Sequence, residues 1–122
     1  MPHRVLIADP YGAMRSKVRS LIEKSGWEVV AEAGNGQECI EQAQMHSPDL
    51  VILDLALPVK NAIEVATEVR KSHPSTKFLV FTVHDSEVVR EEVLRAGMHG
   101  FAVKSSSAGK LLSEVRRLLD GG

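Results

Sequence analysis

Three short apolar runs restrict the fold of this chain more than any other feature: Val5-Leu6-Ile7-Ala8, Leu50-Val51-Ile52-Leu53 and Phe78-Leu79-Val80-Phe81. None of them alternates between apolar and polar residues. A strand with one wet face shows that alternation, whereas a strand covered on both faces reads as a continuous apolar run. Two weaker runs, Val29-Val30-Ala31 and Phe101-Ala102-Val103, bring the set to five. Between the runs the period becomes helical. Met14, Val18, Leu21 and Ile22 share one face, Ile63, Ala66 and Val69 a second, and Val89, Val93 and Ala96 a third; Leu111, Leu112, Val115, Leu118 and Leu119 form the clearest stripe. Ile40 and Ala43 mark a shorter helix over residues 37–46. Gly26, Pro48, Pro74, Gly97 and Gly121 stand just past these segments, where helices end. The order βαβαβαβαβα predicts an α/β fold, with right-handed crossovers placing five helices on the two faces of a parallel sheet. The expected arrangement is flavodoxin-like: a doubly wound five-stranded parallel sheet with strand order 2-1-3-4-5.

The length of 122 residues suits one domain. Fifteen basic and sixteen acidic residues leave a net charge of −1, so the chain carries no overall electrostatic footprint for nucleic acid or an anionic membrane. A single cysteine, Cys39, excludes an internal disulfide framework and fits a reducing compartment. No apolar run approaches the roughly 20 residues of a membrane-spanning helix. Met1-Pro2-His3-Arg4 leads straight into the first run, without the pattern of a secretory signal. A cytoplasmic location is the expectation.

In open parallel sheets, ligands bind beyond the carboxyl ends of the strands. The first run ends in Asp9, the third in Asp54, the fourth in Thr82 and the fifth in Lys104. Each has a plainer explanation alone. Asp9 can cap a helix, Thr82 can bond nearby backbone, and Lys104 can be a solvated charge. Asp54, behind four buried apolar residues, is costly unless paired or at a site. With strand order 2-1-3-4-5 the four ends are neighbours, and the set has a chemistry. Two carboxylates attract a hard cation such as Mg2+. A lysine holds a phosphoryl oxygen as a point charge, and a carboxylate can act as a nucleophile. Phosphoryl transfer asks mainly for positioning and charge stabilisation.

On these residues the sequence resembles the receiver domains of two-component response regulators. The matching stretches are Val5-Leu6-Ile7-Ala8-Asp9, Ala31-Glu32-Ala33-Gly34-Asn35-Gly36, Pro48-Asp49-Leu50-Val51-Ile52-Leu53-Asp54, Phe81-Thr82-Val83-His84-Asp85, and Ala96-Gly97-Met98-His99-Gly100-Phe101-Ala102-Val103-Lys104. Together they cover nearly the whole chain, residues 1–122, as one receiver domain. The Thr-Val-His-Asp stretch looks most like receivers joined to LuxR-type helix-turn-helix output domains. The resemblance implies that Asp54 is the phosphoacceptor, Asp9 an acidic-pocket residue, Lys104 the lysine that contacts the phosphoryl group, and Thr82 the switch hydroxyl. Phe101 falls at the aromatic switch position. Mg2+ would be held by Asp9, Asp54 and the backbone carbonyl of Ala56, and His84 with Ala56 would tune dephosphorylation. The implied partner is a sensor histidine kinase. The domain would be no enzyme beyond promoting its own phosphorylation and dephosphorylation. Phosphorylation would change homodimer or partner contacts at the face made by the fourth helix, fifth strand and fifth helix. A DNA-binding helix-turn-helix domain is expected beyond Gly121-Gly122, which read as the start of a linker after a helix ending near Asp120. This domain itself is expected to touch neither DNA nor membrane.

Four positions depart from the family pattern. The second acidic residue after the first strand, a direct metal ligand in the family, is Pro10, which has neither a side-chain oxygen nor an N–H. Fewer charged ligands imply weaker Mg2+ binding. The family's Met-Pro is Leu57-Pro58, and its Asp-Gly is Asn61-Ala62, which suggests an altered loop after the third strand. The family lysine is often followed by a cis proline; here Ser105 follows Lys104, and a trans bond is expected. Two readings therefore compete: a working receiver with weak or altered metal use, and an atypical receiver that acts as a phosphorylation-independent interaction module. A flavin or nucleotide carrier is a third. However, Gly34-Asn35-Gly36 follows the wrong strand for a dinucleotide fingerprint and reads as a tight turn, and the loop after Asp9 lacks a Ser/Thr-rich phosphate cradle. Cys39 is expected to be buried and inert, Trp27 to pack at the start of the second strand, and Ser105-Ser106-Ser107 to form a turn and cap. His3, His46, His73 and His99 read as surface or loop residues, and Arg15, Lys17 and Arg19 as the solvated side of the first helix.

Overall fold

Strands Arg4–Ala8 (β1), Glu28–Ala33 (β2), Leu50–Leu53 (β3), Lys77–Thr82 (β4) and Gly100–Val103 (β5) pair in parallel in the order β2-β1-β3-β4-β5. They alternate with helices Gly12–Lys24 (α1), Gly36–His46 (α2), Ala62–Ser72 (α3), Glu87–Arg95 (α4) and Ala108–Asp120 (α5). This is a computed structural model, and it describes residues 2–121. The expected fold class and strand order are the ones found.

The continuous apolar runs work as the parallel sheet requires. Alternate residues of each central strand face opposite layers. Leu6, Ala8, Val51, Leu53, Phe78 and Val80 pack with Cys39, Ile40 and Ala43 of α2, Val65, Ala66 and Val69 of α3, and Val93 of α4. Val5, Ile7, Leu50, Ile52, Leu79 and Phe81 pack with Val18 and Ile22 of α1 and Leu111 and Val115 of α5, with Trp27 closing the layer at the start of β2. Cys39 is fully buried, and burial pushes its thiol up to about 12, which keeps it inert as expected. Among the described residues no helix is long and apolar enough to cross a membrane.

Two helical faces differ from the spacing in the sequence. Helix α3 buries Ala62, Val65, Ala66 and Val69, a full i, i+3, i+4, i+7 stripe, and leaves Ile63 36% exposed. Ala96 is the exposed C-cap of α4 rather than part of its buried face. Gly97, at φ +100°, reverses the chain so that Met98 turns back into the core and donates its N–H to the Val93 carbonyl.

Ala62 is simply the first residue of α3, after an Asn61–Glu64 capping box, and needs no positive φ. The unusual backbone lies at Val59, with φ +71°. The Lys60 N–H donates to the Pro58 carbonyl at 2.8 Å across Val59, closing a tight three-residue turn. The same carbonyl accepts the Gly36 N–H at 2.9 Å. A Cβ at Gly36 would lie 1.8 Å from the Lys60 oxygen. Gly36 therefore serves close approach between the α2 start and this loop, beyond the tight turn read from the sequence.

His99 is a half-buried loop residue in the bend before β5, as read from the sequence, and it carries a structural role the sequence did not show. Its N–H donates to the Phe78 carbonyl at 2.9 Å, and its Nδ1 accepts the Phe78 N–H at 3.0 Å, so the imidazole takes the place of a backbone carbonyl at the start of the β4–β5 ladder. The ring also stacks on Phe78. Nδ1 must be unprotonated to accept. Burial pushes the imidazole below its ordinary value, and the charges of Lys77, Arg70 and Arg117 push it further.

Two outcomes follow. Val59→Gly should raise stability by about 0.5–1 kcal/mol in urea unfolding, because a β-branched residue pays roughly 1–2 kcal/mol for left-handed backbone; an unchanged or lower midpoint would contradict strain at Val59. Because the folded state favours neutral His99, its contribution is complete above the ordinary histidine value of about 6.5 and is lost as pH falls from there through the lowered folded-state value. Stability should decline as pH falls below about 7, and His99→Asn, which can still accept the Phe78 N–H, should flatten that decline.

Candidate functional site

Register brings the carboxyl ends of the strands to one level. Ala8 pairs with Leu53, Leu53 with Val80, and Thr82 with Val103. The residues that follow are tied in the same way: the Asp54 N–H donates to the Ala8 carbonyl at 3.0 Å and the Lys104 N–H to the Thr82 carbonyl at 2.7 Å. Asp9, Asp54, Thr82 and Lys104 thus share one mouth above β1, β3, β4 and β5.

A single ammonium joins the two carboxylates. Lys104 Nζ lies 2.6 Å from Asp9 Oδ2 and 3.1 Å from Asp54 Oδ2. The three side chains are 7%, 5% and 11% exposed, respectively. Burial lowers the Lys104 pKa, but hydrogen bonds to Asp9 and Asp54 together with their charges outweigh it and hold it above its ordinary value. The remaining carboxylate oxygens meet backbone: Asp9 Oδ1 accepts the Tyr11 N–H at 2.9 Å, and Asp54 Oδ1 accepts the Ala56 N–H at 3.3 Å. Asp9 therefore closes an Asx turn around Pro10, while the N-cap of α1 is Tyr11, without a side-chain cap. No cis peptide occurs among the described residues, so Lys104–Ser105 is trans as expected. Thr82 is fully buried, and its Oγ1 accepts the His84 N–H at 3.3 Å. Phe101 is half-buried against the α2–α3–α4 layer. Ala56 and His84 are exposed beside the mouth.

The donor set suits a hard divalent cation in kind: two carboxylates and the Ala56 carbonyl are all oxygen. Mg2+ keeps several waters and needs only one or two carboxylates. Among the described residues no group of three acidic, His or Cys side chains gathers around a common point. At the family's third acidic position stands half-buried Pro10.

Arg15 and Arg19 keep part of their side chains in solvent, 24% and 39% exposed, and both also converge on Glu32 of β2, Arg15 Nε at 3.1 Å and Arg19 Nη1 at 2.6 Å. Arg15 Nη1 also donates to the Asp9 carbonyl at 2.6 Å, anchoring the loop that carries the acidic pocket. Their i, i+4 spacing, with Glu32 just after the weak Val29-Val30-Ala31 run, was the available signal. A second feature, an open groove of about 560 Å³, lies between α4, β5 and α5 and is lined by Arg90, Phe101, Lys110 and Glu114 among others.

The sequence model of the response regulator receiver domain matches residues 5–116. The chain is 31% identical over 120 residues to the chemotaxis protein CheY of Bacillus subtilis, covering 98% of this chain and 100% of that protein. It is 34% identical over 115 residues to the transcriptional regulatory protein PdtaR of Mycobacterium tuberculosis, covering 94% of this chain but 56% of that one. A putative transcriptional regulator of Pseudomonas aeruginosa is likewise matched over 57% of its length, at 36% identity and 97% of this chain. Among solved structures, a LuxR-family response regulator from Aurantimonas superposes with a TM-score of 0.92 at 30% identity, covering 99% of this chain and 87% of that one. The receiver domain of the putative response regulator NarL from Mycobacterium tuberculosis gives 0.91 at 29% identity, with 99% and 98% covered.

Removing the ammonium leaves two buried carboxylates facing each other. Lys104→Met should cost about 3–5 kcal/mol at pH 7, read by urea unfolding. In the parent chain this stabilisation should be complete below the ordinary lysine value of about 10.4 and be lost only above it, as pH rises through the raised folded-state value.

Proposed function

The chain belongs to the response regulator receiver domain family, and we propose that it accepts a phosphoryl group on Asp54 from a sensor histidine kinase. The observation that carries this reading is the Lys104 ammonium 3.1 Å from Asp54 Oδ2, beside the buried Thr82 hydroxyl. An Asp54 carboxylate oxygen attacks phosphorus, the P–N bond of the phosphohistidine breaks, and its electron pair leaves on the imidazole nitrogen. Lys104 stays within reach of the incoming charge. Thr82 accepts the His84 N–H and keeps its own proton free to donate to a phosphoryl oxygen. Phe101, which pairs with Val80 on β4 and packs against the layer that includes α4, would carry the change to α4, β5 and α5.

Receiver domains typically bind Mg2+. Here Asp9, Asp54 and the Ala56 carbonyl would hold it, and its positive charge would offset that of the phosphoryl group; with Pro10 in place of a third acid, binding would be weak. His84 and Ala56, exposed at the mouth, would set access of water to the phosphoaspartate and so its lifetime. Receiver domains are generally regulators rather than enzymes, and self-phosphorylation and self-dephosphorylation would be the only chemistry promoted. Likeness to LuxR-family regulators, and the partial coverage of several transcriptional relatives, support a DNA-binding helix-turn-helix domain in the parent protein. Output would then come through homodimer or partner contacts in a cytoplasmic setting, with no direct contact of this domain to DNA or membrane.

Pro10 supports a second reading, an interaction module that signals without phosphorylation. Incubation with acetyl phosphate and Mg2+ separates the two by mass spectrometry. The first reading expects the intact chain to gain the mass of one phosphoryl group and Asp54→Asn to gain none. A parent chain that gains nothing leaves the second reading standing.

A further inference from the structure

Two strands of the sheet, β2 and β5, have a free edge. A free edge offers backbone N–H and C=O groups to any other strand, and proteins blunt it with charges, bulges or covering groups. β2 has the first two: Glu28 and Glu32 lie within it, and its register against β1 shifts between Val5 and Leu6. β5 has neither. It reads Gly100-Phe101-Ala102-Val103, and it pairs with β4 in regular register. The Lys104 N–H bonds Thr82 of β4, so by alternation Phe101 and Val103 turn their backbone groups away from β4. The open groove of about 560 Å³ runs along that side, between α4 and α5.

Side chains nonetheless hold these outward groups. Glu114 of α5 accepts the Phe101 N–H. Arg117, three residues on, donates through Nη2 to the His99 carbonyl at 3.0 Å. It also grips both Glu114 oxygens, through Nε at 3.0 Å and Nη2 at 2.8 Å. Ser106 donates to the Val103 carbonyl from its N–H at 3.0 Å and from its hydroxyl at 2.6 Å. In a parallel ladder, one residue donates to the carbonyl before its partner and accepts the N–H after it. A residue placed opposite Gly100 would therefore donate to His99 and accept from Phe101, as Arg117 and Glu114 do. A Cβ at Gly100 would lie 3.0 Å from Glu114 Oε1, so the glycine leaves the carboxylate its place over the strand.

We propose that the Glu114–Arg117 pair stands in for a sixth strand and closes the free edge of β5 against strand addition by a second copy of this chain. A second copy is the strand excluded because every copy carries the same uncharged edge, and two such edges can meet about a two-fold axis with the same groups on both sides. Side chains that line the groove, Arg90 and Lys110 among them, stay open to other contacts. The inference is independent of whether Asp54 accepts a phosphoryl group.

Sedimentation equilibrium of the chain, without phosphoryl donor or metal, tests this. The double variant Glu114→Ala/Arg117→Ala should self-associate about tenfold or more tightly than the parent, because both edges regain backbone groups to pair; a gain of less than about threefold overturns the proposal. Adding Val103→Pro, which removes an outward N–H and leaves the β4 ladder intact, should abolish the gain. Association that survives the proline overturns the proposal, since the copies then meet elsewhere. Glu114→Gln can still accept the Phe101 N–H through its side-chain carbonyl and should behave as the parent; if it associates as tightly as the double variant, the proposal fails. Should the double variant not fold, Glu114→Ala alone is held to the same two thresholds. In the parent, the Phe101 amide should exchange with deuterium more slowly than an amide of the unfolded chain, and exchange at the unfolded rate overturns the proposal.

Discussion

A strand covered on both faces has no place for a charge except at its ends. Residues inside β1, β3 and β4 are buried by helices on either side, where an unpaired charge would lose its hydration without compensation. The polar chemistry of the chain is therefore pushed to the loops, and parallel pairing puts every carboxyl end on the same side. Asp9, Asp54, Thr82 and Lys104 meet because the ladder aligns them, although up to 95 residues separate them in sequence. Loop lengths and helix packing then matter mainly for how firmly those ends are held.

At the mouth, charge balance becomes the controlling term. Two carboxylates with side chains 5% and 11% exposed cannot stand beside each other without a cation. Lys104 fills that need from within the chain, and its raised pKa expresses the same energy from the lysine's side. In a buried triad the loss of any one member leaves an uncompensated charge. The arrangement thus stabilises the fold and also stores an ammonium where phosphoryl charge would arrive.

The surroundings of the pocket are held by less obvious contacts. Gly36 lets the α2 start touch the loop after β3, and the Pro58 carbonyl accepts from both sides of that contact. Val59 takes up left-handed backbone as the cost of closing the turn. Arg15 ties the loop after β1 to Glu32 of β2. At the far end of the sheet, the His99 side chain stands in for a backbone acceptor and fixes where β5 begins. None of these residues belongs to the reacting set, yet each limits the freedom of an element that carries one.

Much of this was legible in the sequence, because it follows from local pattern. Continuous apolar runs determined a two-sided parallel sheet, helical stripes determined the intervening segments, and the residue after each run marked the site. Substitution of Pro10 for an acid was equally plain. What the sequence left open depended on partners distant along the chain. Ile63 against Ala62 on α3, the positive φ at Val59, the close approach at Gly36, and the recruitment of Arg15, Arg19 and His99 all arise from what packs opposite them. Above all, the sequence placed one lysine and two aspartates at a common mouth, but only the tertiary structure decided that a single ammonium bonds both carboxylates. Periodicity records which face of an element is buried, whereas a hydrogen bond of 2.6 Å depends on the register between elements.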